Sequence, residues 1–410
     1  MTPGKRARRG SAPAGAGEGL VMLSDGFRPF FLGAAVWGVV AMALWVVEVT
    51  LGLGLGGVTG GGTWHAHEML FGYTSAALAG FLLTAIPNWT GRRPVSGWRL
   101  LGLFSLWVAG RIILLGPNAL REPAAILVDA SFLPILTIVC AHEIVAGRKW
   151  KDLKVLGGLL VLASANAFFH YGHAVLGDVA WPSRFATGAY LMLIMIVGGR
   201  ILPYSTGKWL QQQGGAKLPA PYGWLDRVAL LSALLALLAW TAQPHNRMTA
   251  LVCGAAAVLH GARLSRWRGW AAAMEGTVVA LHLAYAFVVL SLFALAAVAI
   301  DVLDASTAMH IATVGSIGTA TFVVMTRSTR GYTGLAFQAS RRTNVSFAAI
   351  VLAGAIRPLA AVLPEFRSEV LALASAAWIV AFSLFLFDYA LVLATRPKNA
   401  PAARGKAWRA

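Results

Sequence analysis

The chain has 410 residues, 58% of them hydrophobic and only 12% charged, yet 34 Lys and Arg stand against 16 Asp and Glu for a formal net charge of +18. Apolar runs of about 18 to 25 residues recur along it, the length a helix needs to cross roughly 30 Å of hydrocarbon, which argues against a soluble globular protein and for an all-α polytopic membrane protein. Clustered basic residues are also the footprint of nucleic-acid binding, but here they are divided among short loops and two tails with no such motif beside them, so nucleic acid is not expected as a partner.

In chain order, residues 1–22 are expected to be a disordered basic tail, with no signal-peptide cleavage pattern after them. A single transmembrane domain over 23–396 follows, with twelve spans at 30–52, 67–87, 98–116, 124–144, 155–176, 186–203, 224–242, 248–262, 275–299, 307–326, 346–364 and 370–394. Residues 397–410 form a second basic tail. All Lys and Arg except Arg111, Arg121, Arg184, Arg247, Arg357 and Arg367 fall on the side shared by both termini. Because cytoplasmic loops hold the excess of basic residues, both ends are placed in the cytoplasm. Cys140 and Cys253 lie inside spans without Cys-x-x-Cys spacing, so no disulfide framework or iron–sulfur cluster is implied.

Three spans end in related ways, each four helices from the next: Ile86-Pro87-Asn88-Trp89-Thr90-Gly91, Leu202-Pro203-Tyr204-Ser205-Thr206-Gly207 and Arg330-Gly331-Tyr332-Thr333-Gly334. The third and eleventh spans carry Ala109-Gly110-Arg111 and Ala353-Gly354-Ala355-Ile356-Arg357. These echoes suggest three pseudo-repeats of four helices, against the alternative that Thr-Gly is simply a common helix ending.

Six of the nine histidines, His65, His67, His170, His173, His282 and His310, fall toward the non-cytoplasmic ends of their spans. At 1.5 Å per residue, His170 lies about 24 Å beyond Lys154, His310 about 25 Å beyond Arg327 and His282 about 21 Å beyond Arg268. His173 is one turn further along the face of His170, and His65 and His67 stand at the outer mouth of the second span. Ionisable groups at membrane depth are costly and functional by default, and neutral imidazole is a common ligand of haem iron and copper. The six are therefore candidate metal ligands, the alternative being interhelical hydrogen bonds. For His142, His245 and His260 that alternative is preferred.

Arg111 and Arg357 also fall inside the membrane. A guanidinium cannot shed its charge there and needs a carboxylate. Asp129 is one candidate, haem propionates are another, and snorkelling to the surface is a third.

The segments Gly26-Phe27-Arg28-Pro29-Phe30-Phe31, Trp64-His65-Ala66-His67-Glu68-Met69-Leu70-Phe71-Gly72, Gly80 to Gly91, Gly199-Arg200-Ile201-Leu202-Pro203 and Met325-Thr326-Arg327-Ser328-Thr329-Arg330-Gly331 occur in this order. Together they resemble the NnrS family over about residues 22–395. The resemblance implies a bacterial inner-membrane protein containing haem and copper, linked to denitrification and to resistance to nitric oxide and nitrosative stress. It also makes Arg28, Glu68, Asn88, Arg200 and Arg327 motif residues whose roles it does not supply. The histidine assignments rest on the residues themselves. With no Cys-x-x-Cys-His, any haem is held non-covalently. Twelve helices in three arcs of four also resemble the main subunit of haem–copper oxidases, at the level of fold only, and helices two, five, nine and ten do not reproduce the oxidase ligand order. The expected function is a haem- and copper-binding protein that handles nitric oxide in the periplasmic half of the membrane. A nitric oxide-reducing enzyme and a haem or copper transporter are the alternatives, with the electron donor unassigned.

Overall fold

The computed structural model describes residues 20–52, 61–116, 119–215, 217–336 and 338–395. Among them the chain forms twelve long helices and no strand: α1 (Phe27–Leu51), α2 (Gly61–Thr90), α3 (Trp98–Ile113), α4 (Pro123–Ala146), α5 (Trp150–Leu176), α6 (Ala180–Gln212), α7 (Trp224–Ala242), α8 (Arg247–Arg266), α9 (Gly276–Val298), α10 (Ala305–Thr333), α11 (Arg341–Val362) and α12 (Pro364–Ala394). All except α3 are long and apolar enough to cross a membrane, and α3, at 16 residues, spans about 24 Å. The two basic tails lie outside the described residues apart from Leu20, Val21 and Met22.

The helices satisfy their own backbone groups, as hydrocarbon demands, and their ends are closed by local signals. Asn246, Asp304 and Ser340 accept bonds from Met248, Thr307 and Thr343 at the starts of α8, α10 and α11. Gly91 and Gly334 end α2 and α10 in the left-handed conformation that glycine adopts without penalty. The matching Gly207 does neither: α6 runs on through Thr206 and Gly207 to Gln212, so the middle Thr-Gly is not a helix end. The polar residues beyond each apolar run are helical as well, which is why most helices extend past the spans read from hydrophobicity. Leu231, Leu235 and Leu238 on α7 and Phe387 and Leu391 on α12 remain exposed, a surface suited to lipid.

Helix adjacency repeats at intervals of four. Helices α2, α6 and α10 touch one another at the centre, while α12 packs on α1, α4 on α5 and α8 on α9 around the outside. This is the arrangement three four-helix units would give. Odd-numbered helices start, and even-numbered helices end, at the face bearing most of the basic loops, here called the basic face.

Candidate functional site

Each candidate group can be placed by its distance from a helix end. His67 is six residues into α2, Asp129 six into α4, His170 six before the end of α5 and His310 five into α10. All four therefore lie about 8 to 9 Å in from the face opposite the basic one. Depth alone would let any of them meet, and packing selects His67, Asp129 and His170.

Asp129 is the hub. Its Oδ2 lies 2.9 Å from His170 Nε2 and 3.1 Å from His67 Nε2, and it accepts a bond from Asn166 Nδ2 at 3.0 Å. Its other oxygen accepts from Arg111 Nη2. Arg111 Nη1 donates to Glu68 Oε2 at 2.7 Å, which also accepts from Trp37 Nε1 at 2.7 Å. Glu68 Oε1 lies 2.9 Å from His67 Nδ1. Helices α1 to α5 are thus joined by one closed network, with His67 and Glu68 at 0% and Asp129 at 2% exposure. The Arg111 guanidinium bridges the two carboxylates, the pairing that buried ions require. The protein carboxylates thus occupy the arginine that was a haem-propionate candidate.

One donor atom from each of His67, Asp129 and His170 can be chosen so that all lie within 4.8 Å of one another. Two imidazoles and a carboxylate form a set used by zinc, copper and non-haem iron. His170 Nδ1 is buried without a hydrogen-bond partner. His173, one turn on and buried, is close enough for the charges of His67 and His170 to act on it.

The other candidates separate into two places. His65 stacks on Trp45 with ring centroids 4.6 Å apart, and its buried Nδ1 has no hydrogen-bond partner. His310 and Arg357 lie within electrostatic range of it, and Arg357 within range of His310, so α2, α10 and α11 bring these three residues near one another. His310 Nδ1 is 2.7 Å from the carbonyl of Ser306. His282 belongs to neither group. The chain makes a separate turn at Gly269–Ala272, and α9 begins only at Gly276, so His282 is about 9 Å in from the basic face and packs against Gly269. The ruler that placed it with the others counted that loop as helix.

Three π-helical turns mark three of the histidine-bearing helices, α2, α5 and α10: Glu68–Tyr73 after His67, Gly172–Leu176 around His173, and Ile311–Gly318 after His310. Such turns add a residue to the helix and redirect the side chains beside it, and they are frequent at functional sites. They are also where uniform helical spacing misjudges which residues share a face.

The remaining motif residues have distinct settings. Arg28 Nη1 donates to the carbonyls of Val392 and Leu393 at 3.1 and 2.9 Å, a cation at the C-terminus of α12. Asn88 Nδ2 donates to Tyr332 Oη at 2.8 Å, joining α2 to α10, and Arg327 donates to Ser205 Oγ across to α6. Arg200 is exposed near the basic face. Sequence reasoning missed Trp37, Gly72 and Asn166. The last two had a signal, since Glu68-x3-Gly72 and Asn166-x3-His170 each put two residues one turn apart.

No curated protein matches the chain. The family model described as NnrS protein matches residues 21–397, which is nearly the whole described chain, and the protein belongs to the NnrS family.

Proposed function

We propose that this chain is a haem- and copper-binding protein of the bacterial inner membrane that handles nitric oxide or limits nitrosative damage, with His67, Asp129 and His170 as its copper ligands. The observation that carries this reading is the convergence of three donor groups from α2, α4 and α5 within 4.8 Å. The bias of basic residues supports cytoplasmic termini, which would put this cluster in the periplasmic half, where a neutral gas arrives through lipid.

For haem, the residues whose chemistry would hold it are His65 and His310 for the iron and Arg357 for a propionate. The buried, unpartnered Nδ1 of His65 supports that choice. Bound there, haem would supply an iron able to take nitric oxide only in place of one of these histidines, and copper at the His67–Asp129–His170 cluster would hold a second ligand or set the potential. This chain's own residues orient the donors: Asn166 fixes Asp129, Glu68 fixes the His67 ring through Nδ1, and Arg111 balances both carboxylates.

A second reading is transport or transfer of metal. It is favoured by the charge balance of the network, because with His67 protonated the charges of Arg111 and His67 cancel those of Glu68 and Asp129. A cluster satisfied in this way can exist loaded or empty. Reduction of nitric oxide is less favoured, since Glu68 and Asp129 are both held in ion pairs and are poorly disposed to relay protons.

The test is an optical spectrum and metal analysis of detergent-purified protein, with and without nitric oxide. A Soret band that shifts with the gas, together with stoichiometric copper, is the expected result. Copper lost on mild chelation would favour transfer, and a protein that never acquires either group would overturn the reading.

A further inference from the structure

A cavity of about 320 Å³ lies between α2, α5, α6, α9 and α10, away from the histidine clusters. Along α2 it extends from Asn88 to Thr74, about 21 Å of helix, so it is long and runs parallel to the helices. Its walls are apolar, built by Ala77, Phe81, Leu193, Ile317 and Val324. Its end at the basic face is different in kind. There Lys154, Arg200, Asn88 and Tyr332 line it, with Asp152 the one carboxylate among its lining residues.

Two observations point to what this end would hold. Among the described residues neither Lys154 nor Arg200 forms an ion pair or a side-chain hydrogen bond, so two cations stand at the mouth without protein counter-charges of their own. Arg327, which binds Ser205 behind the wall, has the phenols of Tyr204 and Tyr332 close by, both of which line the cavity. Three motif residues without an assigned role, Asn88, Arg200 and Arg327, therefore line or back one space.

We propose that the cavity binds a single anionic phospholipid, its phosphate held by Arg200 and Lys154 and one acyl chain lying along α2 toward Thr74. Basic pockets between transmembrane helices are sites for anionic headgroups, and a guanidinium suits phosphate through paired hydrogen bonds. The apolar length behind the cations distinguishes this from a site for free phosphate. At its inner end Tyr190 donates to the carbonyl of Leu70 at 2.9 Å, one turn from His67, so the bound chain fills the space between the basic face and the metal cluster.

The full-length protein, stripped of lipid by detergent exchange, is titrated by native mass spectrometry with phosphatidylglycerol and, separately, with phosphatidylcholine. Wild type should bind one phosphatidylglycerol in preference to phosphatidylcholine. Replacing both cations, Arg200→Gln with Lys154→Gln, should weaken that binding about thirty-fold, whereas Arg93→Gln in the neighbouring loop should not. Ala77→Phe, which fills the channel without touching the cations, should also reduce binding. Equal affinity in the double variant, equal binding of the two lipids, or displacement of phosphatidylglycerol by a neutral prenylquinone would each overturn the proposal. None of these outcomes depends on whether metal is bound.

Discussion

Arg111 Nη1 on α3 lies 2.7 Å from Glu68 Oε2 on α2, and the bond has room because the residue one turn on from Glu68 is Gly72. A Cβ at Gly72 would come 2.5 Å from Arg111 Nη1, 2.7 Å from Glu68 Oε2 and 2.8 Å from Trp37 Nε1. Those atoms are already bound to one another and cannot withdraw independently. Gly72→Ala should therefore cost about 1 to 3 kcal/mol, as overpacking does. Gly102→Ala, also in a helix and with nothing within 4 Å of its Cβ, should be neutral or stabilise by about 0.5 to 1 kcal/mol. Thermal unfolding in detergent, followed by tryptophan fluorescence, compares the two; equal midpoints would remove the steric argument.

Arg111 itself compensates two buried carboxylates. Arg111→Met removes the guanidinium that bridges Glu68 and Asp129, and losing one partner of a buried ion pair costs about 3 to 5 kcal/mol. If charge imbalance is the cause, adding Glu68→Gln to Arg111→Met should recover part of the loss, which a double-mutant cycle measures. A second substitution that adds its full independent cost would show that the lost packing of Arg111 on α3 matters more than its charge.

The fold was legible because hydrocarbon imposes one rule on every span: a helix with apolar residues over its whole length. The interval of four in the helix contacts has an echo in the endings of α2 and α10, although α6 continues through its Thr-Gly. The site was legible only in part. Depth identified His67 and His170, and charge identified Asp129 as a partner for Arg111, but depth does not say which helices are neighbours or how each is rotated. For that reason the separation of His65 and His310 from His67 and His170 could not be read, and the π turns beside these residues shift the faces further. His282 failed for a simpler reason, since a loop without Pro was counted as helix and moved the residue into the wrong half of the membrane.

Metal retention distinguishes ligands from their supports. His67→Ala and His170→Ala each remove a donor of the three-residue cluster and should abolish copper binding. Asn166→Ala removes no donor but loses the bonds that orient Asp129 and the His67 ring, so affinity should fall by about 10- to 100-fold, as for other groups that hold a ligand in place. His245→Ala, which breaks only an exposed contact with Asp301, should leave copper content unchanged. Elemental analysis after gel filtration reads all four, and full copper in both ligand variants would refute this assignment.

The two histidine groups should fail separately if they serve different cofactors. His65 stacks on Trp45 with His310 and Arg357 in electrostatic range, whereas His67 bonds into the Arg111–Asp129 network. His65→Ala and His310→Ala should therefore lose the Soret band while retaining copper, and His67→Ala should do the reverse. Arg357→Gln should weaken haem retention without abolishing it, since a propionate contact supports binding and does not ligate iron. His282→Ala should change neither readout, because its ring packs against Gly269 at the other end of the bundle. Joint loss of haem and copper in every variant would instead mean a single shared centre or a general loss of folding. Thermal midpoints separate those two, since a shared centre leaves the apoprotein's midpoint near wild type while misfolding does not.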